Sequence, residues 1–71
     1  MSWNYRVLKH EDNDEVPYYQ VHEVFYNEDD SIMACSEHSC TPFGETVEEL
    51  KADFELMAGA FERPVIPYEE I

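Results

Sequence analysis

Basic residues are the scarcest class in this chain, which has four lysines and arginines against 17 aspartates and glutamates. The formal net charge is −13 at pH 7. Because contact with a phosphate backbone requires cationic side chains, this composition argues against nucleic acid as a direct ligand. A negative field of this strength speeds association with a basic protein, but acidity also serves simply to keep a small protein soluble. The composition leaves both interpretations open.

Long apolar runs and glycines are also scarce. No segment reaches the roughly 20 apolar residues of a membrane-spanning helix, and the first residues lack the apolar core of a signal peptide. We therefore expect a cytoplasmic protein with no membrane partner. Gly44 and Gly59 are the two glycines, so a glycine-rich phosphate-binding loop is excluded. The length predicts one small domain over residues 1–71.

The most regular pattern lies near the C-terminus and predicts a helix over about residues 47–62. Thr46 followed by Glu49 is typical of a capping box, and Pro64 prevents the helix from continuing. Acidic residues are frequent in the first turn, where the helix dipole favours them. Apolar residues recur with a period near 3.6, at Val47, Leu50, Phe54, Met57, Ala58 and Phe61. We expect this stripe to be buried against the rest of the domain.

Three segments before the helix have the composition of strands, namely about residues 3–9, 18–26 and 32–37. Consecutive strands joined by short polar turns pair as an antiparallel meander, and one helix can cover one face of it. The predicted fold class is therefore α+β, a three-stranded antiparallel sheet with one C-terminal amphipathic helix (βββα). Residues 64–71 are predicted to form an extended tail that can dock on the sheet.

The second strand could bury either of its faces. Both faces carry polar as well as apolar side chains, and we favour the face with Tyr19, Val21 and Phe25 over the face with Val24. In this arrangement the second face of the sheet stays open to water or to a partner. An aromatic-rich open face is either ordinary surface or a contact site.

The chemistry-bearing side chains do not form a recognisable catalytic or metal-binding set. Cys35, His38 and Cys40 offer three soft ligands, but structural zinc usually takes four ligands in two separated pairs. A Cys35–Cys40 disulfide is conceivable, although a cytosolic chain keeps its thiols reduced. His22 and Glu23 are neighbours on a strand and point to opposite faces, so they cannot act as a base and its orienting carboxylate. We expect no enzymatic activity, no catalytic residues, no metal and no cofactor.

The turn into the helix carries a family resemblance. Three strands followed by Gly44, Thr46, Glu48 and Glu49 resemble the HicB-like antitoxin fold, in which a meander leads through a Gly-x-Thr-x-Glu-Glu-Ala-type turn into one amphipathic helix. The resemblance implies an antiparallel sheet with a packed helix, and neutralisation of a small RNA-cleaving toxin by direct contact. The opening strand and the end of the second strand also resemble small uncharacterised bacterial and phage proteins.

The carboxylates that we assign to partner binding fall in the first loop, the second turn and the helix: Asp12, Asp14, Glu15, Glu28, Asp29, Asp30, Glu48 and Glu55. Phosphates of one DNA strand lie roughly 3.4 Å apart, a spacing that carboxylates on a rigid support can approximate. In charge and size the chain is similar to DNA-mimic inhibitors, among them several phage anti-CRISPR proteins.

We therefore predict a monomeric or homodimeric inhibitor that occupies the basic nucleic-acid-binding surface of a partner protein or complex. A HicB-like antitoxin and an assembly or dimerisation module are the alternatives. Screening by salt should weaken the predicted contact, because surface charges drive it.

Overall fold

The computed structural model describes residues 2–11 and 16–71, which form one sheet with one α-helix. The strands are β1 (Ser2–His10), β2 (Tyr18–Tyr26), β3 (Ile32–Cys35) and β4 (Ile66–Pro67). Helix α1 (Val47–Ala58) continues into a 3-10 helix, Gly59–Glu62, and a second 3-10 helix, Tyr68–Glu70, follows β4. The predicted α+β class is confirmed, as is the order of three strands followed by a helix.

The sheet has four strands in the order β3-β2-β1-β4 and is mixed. β1 and β2 pair antiparallel along their whole length, whereas β4 pairs parallel to β1 through Leu8↔Ile66. The predicted antiparallel meander of β1, β2 and β3 is confirmed, as is the expected docking of the tail, but the prediction of a sheet with only three, antiparallel strands is wrong. A two-residue strand is too short to show any hydrophobic periodicity, which is why the sequence pattern does not predict it.

The β2–β3 turn has a tight, hydrogen-bonded geometry. The Asn27 N–H donates to the Ser31 carbonyl at 2.8 Å, and Asp30 adopts a left-handed conformation with φ of 68°. The Asp29 carboxylate accepts from both the backbone N–H and the hydroxyl of Ser31, and these bonds lower its pKa. Polar residues with this turn chemistry agree with the predicted hairpin.

The start of α1 follows the predicted capping box with one difference. The Thr46 hydroxyl accepts from the Glu49 N–H at 3.1 Å, but the Glu49 carboxylate accepts from the Glu45 N–H instead of the Thr46 N–H. Gly44 lies so close to this first turn that a Cβ atom would collide with the Leu50 nitrogen. Only glycine permits this approach of the loop to the helix.

The predicted single helix over residues 47–62 is divided into two parts. The α-helix ends at Ala58, and residues Gly59–Glu62 continue as a 3-10 helix. A 3-10 helix has about 3.0 residues per turn, so it rotates the following side chains relative to the α-helical stripe. This change brings Ala60, which lies outside the predicted stripe, into the buried core. No helix of the described residues is long and apolar enough to span a membrane.

Two small hydrophobic clusters lie on opposite faces of the sheet, because successive strand residues point to opposite sides. On the face that α1 covers, here called the helix side, the cluster consists of Tyr5, Val7, Met57 and Ala60 with Val21 and Cys40. On the other face, here called the tail side, it consists of Leu8, Val24 and Ile66 with Tyr26 and Cys35.

The expectation for the buried face of β2 is wrong. Tyr19 is exposed and Val21 and Phe25 are only partly buried, whereas His22 and Val24 on the tail side are almost fully buried. The tail side is not open, because Ile66 of the edge strand β4 packs with Leu8 and Val24 in a buried cluster. The expectation assumed that the helix is the only element able to cover a face.

The predicted burial of the helix stripe is also wrong for five of its six residues, because only Met57 is buried. Phe54 is 62% exposed and Phe61 is 76% exposed. The side chains that pack on Tyr5 and Val7 of the sheet are Met57, near the C-terminal end of α1, and Ala60 of the 3-10 helix. The earlier turns of α1 consequently leave apolar side chains at the surface.

Candidate functional site

An apolar groove lies on the helix side, between α1, β2 and the segment that leads into the helix. Its volume is about 210 Å³, and it is lined by Val21, Pro42, Phe54, Met57, Ala58 and Phe61. None of these side chains is polar. Phe54 and Phe61 form the most exposed part of the lining, and Met57 is its buried part.

Hydrogen bonds fix the walls of the groove. The Asp53 carboxylate accepts from the Phe43 N–H at 2.8 Å and from the Tyr5 hydroxyl at 3.4 Å. The Cys40 N–H donates to the Val21 carbonyl at 2.8 Å, which holds the segment between β3 and α1 against β2. Burial, and then the nearby Asp53 carboxylate, raise the pKa of Tyr5. The groove is therefore part of the folded framework.

Apolar exposure continues beyond the groove on α1 and on the segment before it. Further exposed large apolar side chains there are Phe43, Val47, Leu50 and Leu56. The same helical segment carries the carboxylates Glu48, Glu49, Asp53, Glu55 and Glu62. Exposed apolar surface with a polar border is typical of a contact site for another protein.

The structure places only part of the predicted carboxylate set. Asp12, Asp14 and Glu15 lie outside the described residues. The other five predicted binding residues are exposed, namely Glu28, Asp29 and Asp30 in the β2–β3 turn and Glu48 and Glu55 on α1.

Glu55 and the three carboxylates of the β2–β3 turn lie toward the same end of the sheet. Glu55 lines a cleft of about 460 Å³ together with Trp3, near the end of the ladder where Ser2 pairs with Tyr26. The β2–β3 turn begins immediately after Tyr26 and therefore projects from that end. Glu48 lies seven residues before Glu55, about 10 Å along the helix axis, so it is separated from this end.

A second polar site lies on the tail side and centres on His22, which is only 1% exposed. Its Nδ1 atom lies 3.1 Å from the Ser36 carbonyl oxygen, and its Nε2 atom lies 3.0 Å from Nε2 of His10. A carbonyl only accepts hydrogen bonds, so Nδ1 of His22 carries the hydrogen and the neutral ring accepts at Nε2 from His10. Burial lowers the pKa of His22 and the neighbouring His10 lowers it further, against the opposing effect of the Ser36 bond.

Aromatic rings hold His10 in this position. Tyr18 stacks on His10 with ring centres 4.8 Å apart, and Tyr68 stacks on it with ring centres 4.5 Å apart. Together with His22 these residues line a pocket of about 320 Å³, which is completed by Glu11, Gln20, Glu37 and Glu69. The sequence pattern does not predict this site, because its parts come from both ends of the chain.

The Cys35, His38 and Cys40 pattern does not form one cluster. Cys35 packs on the tail side and Cys40 on the helix side, and both are free thiols. Burial raises the pKa of the Cys35 thiol. His38 is exposed, and no three His, Cys, Asp or Glu side chains within residues 2–11 and 16–71 are placed to hold a metal ion.

Comparisons with protein-family models, with curated proteins and with solved structures find no match to this chain. The HicB-like resemblance and the DNA-mimic interpretation therefore stay predictions. The fold and the groove define a small α+β domain with an exposed apolar surface on its only α-helix among the described residues.

Proposed function

We propose that this chain is a non-enzymatic binding protein that docks the apolar groove on a basic surface of a partner protein. The observation that carries the proposal is the exposure of Phe54 and Phe61 beside the groove. Covering these rings removes apolar area from water, which is favourable by roughly 25 cal/mol for each Å² buried. The neighbouring carboxylates supply the charge that orients the encounter.

The net charge favours a basic partner over a second copy of the chain. Two copies that each carry a charge of −13 repel one another, whereas a cationic partner is attracted. Glu55 and Glu62 lie on the helical segment that forms the groove and remain exposed. Repulsion between copies is strongest at low salt, where the screening length is longest.

A basic surface of this kind is typical of proteins that handle nucleic acids. The proposed role is inhibition: the docked chain covers the surface and its carboxylates occupy positions that phosphates would otherwise take. Glu28, Asp29 and Asp30 project from the β2–β3 turn and can reach cations outside the apolar contact. We place this activity in the cytoplasm, where Cys35 and Cys40 remain reduced.

The test is affinity capture with the immobilised chain, using Phe61→Ser as the groove variant and Val16→Ser as the matched control. Both residues are exposed apolar side chains, and Val16 does not line the groove. A partner that fits the proposal is retained by the wild type and by Val16→Ser, is lost with Phe61→Ser, and is released by DNA or RNA. Its binding should also weaken steeply with salt.

Two outcomes would contradict the proposal. Retention that is unaffected by Phe61→Ser would show that the groove is not the contact surface. Retention that ignores both salt and added nucleic acid would show that charge complementarity is not involved. Capture of a small basic ribonuclease through the same groove would favour the antitoxin alternative.

Self-association is the second candidate, because among residues 2–11 and 16–71 no strand pairs with the outer edge of β3, and the groove is exposed as well. Sedimentation velocity at low and high salt separates the two candidates. A dimer held by apolar surface should strengthen as salt screens the repulsion between copies, whereas binding to a basic partner should weaken.

A further inference from the structure

The C-terminal segment is held on the tail side by a small set of contacts. β4 pairs with β1 through Leu8↔Ile66 and Lys9↔Pro67, and the Pro64 carbonyl accepts from the Arg6 guanidinium at 2.7 Å. A two-residue strand contributes little backbone pairing, so the side-chain contacts of this segment matter more than usual. The stack of Tyr68 on His10 is one of them.

The hydrogen bond between His10 and His22 depends on how many protons the two rings share. In the neutral pair, and also in the pair with one extra proton, one of the two facing Nε2 atoms can retain its lone pair. When both rings are cationic, each Nε2 carries a hydrogen. Two N–H groups then face each other across a gap that is 3.0 Å in the structure, and the bond cannot form.

We propose that the His10–His22 pair is an acid-sensitive latch on the C-terminal segment. The second protonation breaks the contact and drives His10 out of its position between Tyr18 and Tyr68. Loss of that stack weakens the hold on Tyr68 and β4. Release of β4 removes Ile66 from its cluster with Leu8 and Val24, both of which are fully buried in the structure, and so exposes apolar surface on the tail side.

Other ionisable side chains surround the pair. Those that line the pocket or pair with its residues are Arg6, Glu11, Tyr18, Glu37, Tyr68 and Glu69. Burial of His22 opposes a second positive charge in the pocket.

The pH window follows from the direction of the His22 shift. Because the pKa of His22 is lower in the folded protein than the ordinary value of about 6.5, His22 takes up its proton at a higher pH when the protein is unfolded or the C-terminal segment is released. The latch is therefore fully closed above about pH 6.5 and loses stability progressively below it. One additional proton bound in the released state changes the open population by at most about tenfold per pH unit.

Hydrogen exchange measured by mass spectrometry tests the latch on a peptide that covers residues 64–71. After correction for the intrinsic pH dependence of exchange, protection of this peptide should fall by up to about tenfold per pH unit between pH 6.5 and 5. Protection of α1 (Val47–Ala58) should change less, because the helix lies on the other face. Constant protection of residues 64–71 in this range, in a folded protein, would overturn the proposal.

Two variants assign the effect to the pair. His10→Gln keeps an N–H donor for His22 but cannot carry the second positive charge, so the loss of protection with acid should become smaller; the part that comes from burial of His22 remains. His38→Gln removes an exposed histidine outside the pocket and should behave like the wild type. The same acid response in His10→Gln as in the wild type would show that another group is responsible.

A measurement on the unmodified protein keeps the proposal testable if His10→Gln does not fold. Ring-proton NMR should show the signals of the His22 ring changing in the same pH range in which protection of residues 64–71 falls. His22 signals that stay constant while that protection falls would overturn the proposal.

Discussion

The two faces of the sheet are covered by elements of very different size, and the larger element gives the less complete cover. On the helix side, a 12-residue α-helix buries Met57 and leaves most of its apolar stripe exposed. On the tail side, a two-residue strand completes a cluster in which Leu8 and Val24 are fully buried. Element length is thus a poor guide to where this domain is held together.

The difference has a geometric cause. A strand that adds to the sheet edge brings its side chain into register with a neighbour, so Ile66 lies beside Leu8. A helix that touches a sheet near one end leaves its other turns without a partner surface. In this molecule the tail side therefore has the character of a structural core, and the helix side has the character of a binding surface.

A matched pair of leucines tests this comparison most strongly. Leu8→Ala removes a fully buried side chain on the tail side and should lower the free energy of unfolding by about 2–5 kcal/mol. Leu56→Ala removes a side chain that is 61% exposed and should change it by less than about 0.5 kcal/mol. Urea denaturation followed by circular dichroism measures both.

If Leu8→Ala prevents folding altogether, Ile66→Val provides the milder test on the tail side. This substitution should lower the free energy of unfolding by about 0.5–1.5 kcal/mol, because it removes one methylene from a buried side chain. Equal losses for Leu8→Ala and Leu56→Ala would mean that the tail side is not the better-packed face.

A second pair compares two residues of the same helix. Met57→Ala should lower the free energy of unfolding by about 2 kcal/mol or more, because Met57 is buried in the helix-side cluster. Phe54→Ala should lower the free energy of unfolding by less than about 1 kcal/mol, since the ring is mostly exposed and alanine is a good helix former. A larger loss for Phe54→Ala would restore the buried stripe that the sequence pattern predicts.

The sequence predicts the local elements because their signals are local. The Thr46 and Glu49 pair, the period of the helix and the polar β2–β3 turn each depend on a few neighbouring residues, and the structure has all three. The boundary at Gly59 is less predictable, since a change from an α-helix to a 3-10 helix leaves no strong pattern.

Long-range placement could not be predicted in the same way. β4 has two residues, and the contact between His10 and Tyr68 joins positions near opposite ends of the chain. Which face of an amphipathic strand or helix is covered depends on these distant contacts. The candidate binding surface was missed because the apolar stripe was assigned to the core, and a small domain has too few elements to bury every apolar face.

The smallest expected effect concerns how α1 is fixed over the helix side. Thr46→Ala removes the hydroxyl that accepts from the Glu49 N–H and should lower the free energy of unfolding by about 1 kcal/mol. The exposed Thr41 lies in the preceding loop, so Thr41→Ala is the matched control and should be nearly neutral.

Hydrogen exchange should show the loss of protection caused by Thr46→Ala first in α1, while protection on the tail side is unchanged. Because the helix contacts the sheet mainly near its C-terminal end, a weaker cap should fray its first turns without opening the tail-side cluster. A uniform loss of protection on both faces would instead show that the two sides unfold as one unit, and the distinction between core and binding surface would not extend to their stability.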